Sequence, residues 1–338
     1  MNPTIQNKCD LLVDNYYNCW TAAKLDFRQS AALGGLIYTQ KNQAANEQTI
    51  RSCRRILKKK VGMFNNLRGN TNLALLCKMG MAFNPEAYLD EVLYAYSFIQ
   101  KKHTYRTEYQ ALAASCIADF AKPEQFESIV DEAEDILQLM SKKHPLLTSS
   151  EDLTLAALLA MADLDVETTL DEADACYNNL KETGSFKLVK NSLQSISMVL
   201  ALHEGSAEEK CARFMQMRDG LKTANSRMGS SQLPVIAALA CMDVPIEQLI
   251  EEIHDADVYL KGKWGFSNVI GLGAQMRRVM ASAIVLQVHG EELGRKNAAS
   301  SNSAVTAVLV EQIIQQIIMM IIITAVVVST VTSSSSAS

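Results

Sequence analysis

HPLLTSSED, residues 144–152, sets a histidine, three hydroxyl side chains and two carboxylates within nine positions. An imidazole base and a carboxylic acid in one loop are the components of general acid–base chemistry, if a cation such as Arg68 or Arg106 stabilises the developing anion. His144, Glu151 and Asp152 are therefore the candidate catalytic residues. The same stretch also reads as a helix start: Thr148 with Glu151, and Ser149 with Asp152, have the spacing of a capping box ahead of LTLAALLAM. Binding chemistry has candidates elsewhere. Arg68-Gly69-Asn70 offers a guanidinium to an anion, or an Asn70 cap for the next helix with Gly69 at positive φ. Tyr105 and Arg106 lie in HTYRTE, and Trp264-Gly265-Phe266 puts two aromatics in a glycine-flanked loop as a stacking platform or a packed lid. The eight cysteines and five histidines are dispersed, with no CxxC, HxxxH or HExxH, so no metal is expected. GLGAQMRRVM follows no strand and lacks a third fingerprint glycine, so no cofactor is expected either.

The elements that must position these loops repeat. An Ala- and Leu-rich helix is followed by a short polar break, then by a longer helix with an acidic start and a basic end: NLALLCKMGMAFNPEAYLDEV, YQALAASCIADFAKPEQFESIV, LTLAALLAMADLDVETTLDEA, LQSISMVLALHEGSAEEKCARF, LPVIAALACMDVPIEQLIEEI. Glu47, Glu86, Glu124, Glu167, Glu208 and Glu247 mark the second helices at a period of about 40 residues. A first-turn glutamate and last-turn bases such as Lys58–Lys60 complement the helix dipole, so the marker reports helix polarity, not catalysis. Asn84-Pro85-Glu86 supplies an N-cap and a first-turn proline, and Ser206 with Glu209 a capping box. The reading is an all-α chain: an α-solenoid of about six αα-hairpin repeats between about 27 and 262, or alternatively a closed α/α toroid. A helix over about 5–24 precedes the hairpins and one over about 271–289 follows. The connections between repeats fall on one edge, which makes that edge the expected binding surface.

The 338 residues carry a formal charge of −5 and 48% hydrophobic residues, enough for a sizeable core. Beyond Arg54, Arg55 and Lys58–Lys60 no basic tract could track a phosphate backbone, so nucleic acid is not an expected partner. Single cysteines in apolar helical runs, with no secretory signal, point to a cytoplasmic location. Residues 1–290 are expected to form one helical-repeat domain, 291–302 a polar linker, and 303–338 an apolar helix with a Ser-rich end. IIMMIIITAVVV is too short to span a bilayer. Extended back to Ala304 it gains Glu311, Gln312, Gln315 and Gln316, so packing on protein or self-association is preferred to a membrane anchor through 304–328.

The chain resembles a bacterial family known as domain of unknown function 4003, over nearly its full length. The resemblance rests on Leu67-Arg68-Gly69-Asn70, HPLLTSSED, ALHEGSAEEKC (201–211), QLPVIAALA (232–240) and a Gln-containing apolar tail ending in Ser and Ala. Ser150 stands where the family more often has Gly, and the tail has Ile and Val where Ala is usual. The resemblance implies no activity. The functional expectation is a scaffold binding a protein or peptide through Arg68, Asn70, Tyr105, Arg106, Trp264 and Phe266; the alternative is an enzyme using His144, Glu151 and Asp152 with an arginine.

Overall fold

A computed structural model describes residues 1–298, apart from 24–27, 64, 70–71, 104, 144–151, 163, 184–189, 230–231 and 269–270, and gives the backbone alone for 190–191 and 293–298. The chain is all-helical, with fourteen α-helices, two short 3₁₀ turns and no strand among the described residues. Among the described residues it divides into two compact units, Leu11–Leu164, and Met1–Asp10 with 165–298.

The 11–164 unit takes most of α1 (Pro3–Ala23), then α2 (Arg28–Gln40), α3 (Glu47–Lys60), α4 (Asn72–Met81), α5 (Pro85–Lys102), α6 (Glu108–Phe120), α7 (Phe126–Lys143) and α8 (Leu153–Met161). α2 packs on α4 and α6 on α8, while α5 packs on both α3 and α7. The division follows from side-chain pattern. Residues 30–39 of α2 and 110–117 of α6 are buried without a break, so these stretches have no solvent face. α3 buries only Ile50, Cys53 and Leu57, a stripe at helical spacing that leaves its arginines and lysines outside.

The other unit holds α9 (Val166–Glu182), α10 (Lys190–Ala201), α11 (Ala207–Thr223), α12 (Leu233–Ala240), α13 (Ile246–Lys261) and α14 (Gly273–Ala298). α9 packs on α10 and α11, α11 on α12 and α13, and α14 on α12 and α13. All eight residues of α12 are buried. The first turns of α1 belong here: Lys8 pairs with Glu291 at 2.7 Å, and Asp10 accepts from the Tyr259 hydroxyl at 2.7 Å and pairs with Lys263 at 3.0 Å.

Several helix starts carry the chemistry their sequence calls for. Asn46 caps α3, Asn84 accepts from the amides of Glu86 and Ala87, and Asp165 caps α9. Thr107 with Gln110 and Ser206 with Glu209 form reciprocal capping boxes. Twelve α-helices, α2 to α13, lie between Arg28 and Lys261 among the described residues, and α5 packs closely on α6, α7 on α8 and α9 on α10. Glu124 departs from its expected place: it sits in the 3₁₀ turn Pro123–Gln125, and Glu127 occupies the first turn of α7. α14 runs on to Ala298, past its expected end and into the stretch read as a linker. Lys8 and Gln287 both bind Glu291 there and hold the added turn. No helix among the described residues is long and apolar enough to cross a membrane, and the apolar segment 304–328 lies outside them.

Candidate functional site

In the 11–164 unit the edge begins where α3 ends. Val61 turns the chain out of helix, and its carbonyl accepts from the Arg68 guanidinium at 3.3 Å. The Asn65 side chain accepts from the Leu67 amide at 2.9 Å, starting the 3₁₀ turn Asn66–Arg68, and Asn72 donates to the Arg68 carbonyl at 3.2 Å. Gly69 does not adopt the positive φ expected of it; its φ is −74°. It is small for another reason, because a Cβ there would stand 2.6 Å from a Glu108 carboxylate oxygen. That close approach sets the 61–69 connection against the start of α6, beside the 103–107 connection. The latter is fixed in turn by Gln110, which donates to the Tyr105 carbonyl at 2.9 Å. Two large side chains project from these connections, Tyr105 at 84% exposure and Met63 at 68%, and Arg106 is exposed beside them. Asn70 lies outside the described residues.

In the other unit, α14 ties down two connections. Arg277, almost fully buried, pairs with Asp257 at 2.6 Å and donates to the Phe266 carbonyl at 3.0 Å and the Asn268 side chain at 2.6 Å. Arg278 donates to the carbonyls of Arg227 and Asn225, and Gln275 accepts from the Gly229 amide. The two aromatics of Trp264-Gly265-Phe266 therefore divide: Phe266 is completely buried, whereas Trp264 remains 53% exposed. The glycines of GLGAQMRRVM serve the backbone, Gly273 at φ +79° and Gly271 packed against Ser267 and the Gly265 carbonyl.

Of the acid–base candidates, only Asp152 is described; His144 and Glu151 lie outside, with Thr148 and Ser149. α8 begins at Leu153, so Asp152 precedes the helix instead of occupying its first turn, and its side chain makes no capping bond to the helix amides.

The structure adds polar clusters for which the sequence offered no signal. Lys78 pairs with Asp119 at 2.6 Å and reaches Ser115 at 3.2 Å, while the Tyr88 hydroxyl donates to Asp119 at 2.6 Å. Desolvation opposes the Lys78 charge, but the Asp119 carboxylate outweighs it and the ammonium is held more firmly than usual. Glu252 meets His289 at 2.5 Å, and Lys210 joins Glu172 at 2.7 Å to the His203 carbonyl at 2.9 Å. The sulfurs of Cys19 and Cys77 are 3.8 Å apart. Burial pushes the Cys53 and Cys116 thiols up to about 11, away from the thiolate that reacts. These partners come from different helices at separations that follow no helical period. Among the described residues, no group of three or more His, Cys, Asp or Glu is arranged to hold a metal ion.

The described residues define an all-α protein in which each unit presents an aromatic side chain on a hydrogen-bonded connection, Tyr105 in one and Trp264 in the other. The chain belongs to the family described as Protein of unknown function (DUF4003), which matches residues 15–330. No curated protein and no solved structure matches it.

Proposed function

We propose that the protein is a helical-repeat scaffold of the α-solenoid kind, which binds a protein or peptide through the connections between its helix pairs. The observation that supports this reading is the exposure of Tyr105 and Met63 on backbone already fixed by Arg68, Asn72 and Gln110. A large side chain held in water by an ordered loop loses little conformational freedom on binding, and aromatic anchors dominate interface energies. Panning a displayed peptide library against the full chain tests it. Selected peptides should bind a Tyr105→Ala variant about tenfold more weakly or worse. Binders indifferent to Tyr105, Met63 and Trp264 would overturn the reading.

We place this scaffold in the cytoplasm, a reading supported by eight free thiols, seven of them buried. For 304–328 we propose packing on protein, in the same chain or a second copy, because Glu311 and the three glutamines would need partners in hydrocarbon. Full-length protein that leaves a membrane pellet only with detergent, and not with high salt, would defeat that part.

A further inference from the structure

Resting on the scaffold reading, we infer that the edge formed by the ends of α3 and α5 takes an acidic protein segment carrying an apolar side chain. Residues 51–69 hold seven Lys and Arg with no Asp or Glu, and 101–108 hold three with the single Glu108, in a chain whose net charge is −5. Internal pairing uses part of this charge: Arg51 pairs with Glu47, Lys60 with Glu86 and Asp90, and Lys102 with Asp131. Lys58, Lys59 and Arg106 are exposed and meet no carboxylate among the described residues, and Lys101 lies over the Phe98 ring at 4.6 Å. A last-turn lysine is explained by the helix dipole, but Arg106 follows the end of α5 and is not. Met63 and Tyr105 stand on the same two connections, so the surface is cationic around two apolar projections.

The charge is bounded, which selects a short partner over a long polyanion. α7, the next helix packed on α5, turns exposed Glu127, Asp131, Glu132 and Asp135 outward. A nucleic acid extended along this face would meet those carboxylates, and its affinity needs many phosphate contacts in register. A short acidic segment meets the bases alone, and an apolar residue within it covers Tyr105 and Met63.

Fluorescence anisotropy on the full chain tests this. The probe is a fluorescein-labelled peptide of glutamates and serines with a central Phe-Leu pair. Its controls are the same peptide with Gln for Glu, the same with Ser for Phe-Leu, a labelled oligo-dT strand, and vesicles of phosphatidylcholine with phosphatidylserine. Binding should weaken about tenfold or more with Gln for Glu, with Ser for Phe-Leu, in a Lys58→Glu, Lys59→Glu, Arg106→Glu variant, and in a Met63→Ser, Tyr105→Ser variant. A Phe83→Ser variant, altered in the α4–α5 turn, should bind as wild type. Unchanged far-UV circular dichroism shows that each variant is folded. Equal or tighter binding of oligo-dT or vesicles, lost in the same variants, would overturn the proposal in favour of a polyanion or a lipid surface. If the acidic probe does not bind while library-selected peptides still require Tyr105, the acidic-partner inference fails and the scaffold reading survives.

Discussion

Tyr38 carries a hydroxyl into the core of the 11–164 unit, where it has no hydrogen-bond partner among the described residues, and Gly80 of α4 leaves room for it. An unsatisfied buried hydroxyl is destabilising, so Tyr38→Phe should raise stability by about 1 kcal/mol in urea unfolding. Gly80→Ala should lower it by about 1–3 kcal/mol, since the added methyl meets that hydroxyl, and by less in a Tyr38→Phe background. In the other unit, burial and then the nearby Lys210 charge push the His203 imidazole down to about 4 from 6.5. An unfolded chain protonates there first as pH falls, so this contribution is present above 6.5 and is lost progressively towards 4. His203→Gln should therefore flatten the loss of melting temperature between about pH 7 and pH 5, by an equivalent of roughly 2 kcal/mol. None of these residues stands out in the sequence. A lone Tyr, Gly or His reads as ordinary core, and the partner that makes it consequential comes from another helix.

Helices in this protein are joined by two kinds of polar contact that differ in weight. Outer helices are linked across their surfaces by pairs such as Lys60–Asp90 and Lys102–Asp131. Those pairs are solvated, and removing Lys60 or Lys102 should leave the melting temperature nearly unchanged. Arg277 of α14 is different, because Asp257 is buried with it. Arg277→Ala leaves that carboxylate without its main partner and should cost about 3–5 kcal/mol, while Arg277→Met with Asp257→Leu should recover much of the loss. The elements themselves were legible: caps at Asn84 and Ser206, first-turn glutamates and last-turn lysines are local signals, and they placed the individual helices of an all-α chain. Boundaries decided by tertiary contact were not. Glu124 fell into a 3₁₀ turn, and α14 continued where Lys8, remote in sequence, supports it. Among the loops, the sequence marked Tyr105 and Trp264 but could not separate Trp264 from Phe266, because the Phe266 backbone is held by Arg277 of α14, a tertiary contact with no local signal.

At the scale of the whole chain, α1 is one continuous helix whose first residues belong with α13 and α14 and whose remainder belongs with α2–α8. Lys8 and Glu291 are 283 positions apart, and Asp10 and Tyr259 are 249 apart. On a ribosome this fixes an order of events. Once residue 164 has emerged, every described helix of the 11–164 unit is present and can fold, yet residues 1–10 still lack α13 and α14, which are synthesised long afterwards. Proteolysis of ribosome-bound chains stalled beyond residue 164 should find 11–164 protected while Lys8 is still cut, with Lys8 becoming resistant only after α14 is released. Residues 1–10 are thus sheltered later than the unit that follows them in the chain, and any factor that reads them as an exposed segment has until α14 emerges to do so.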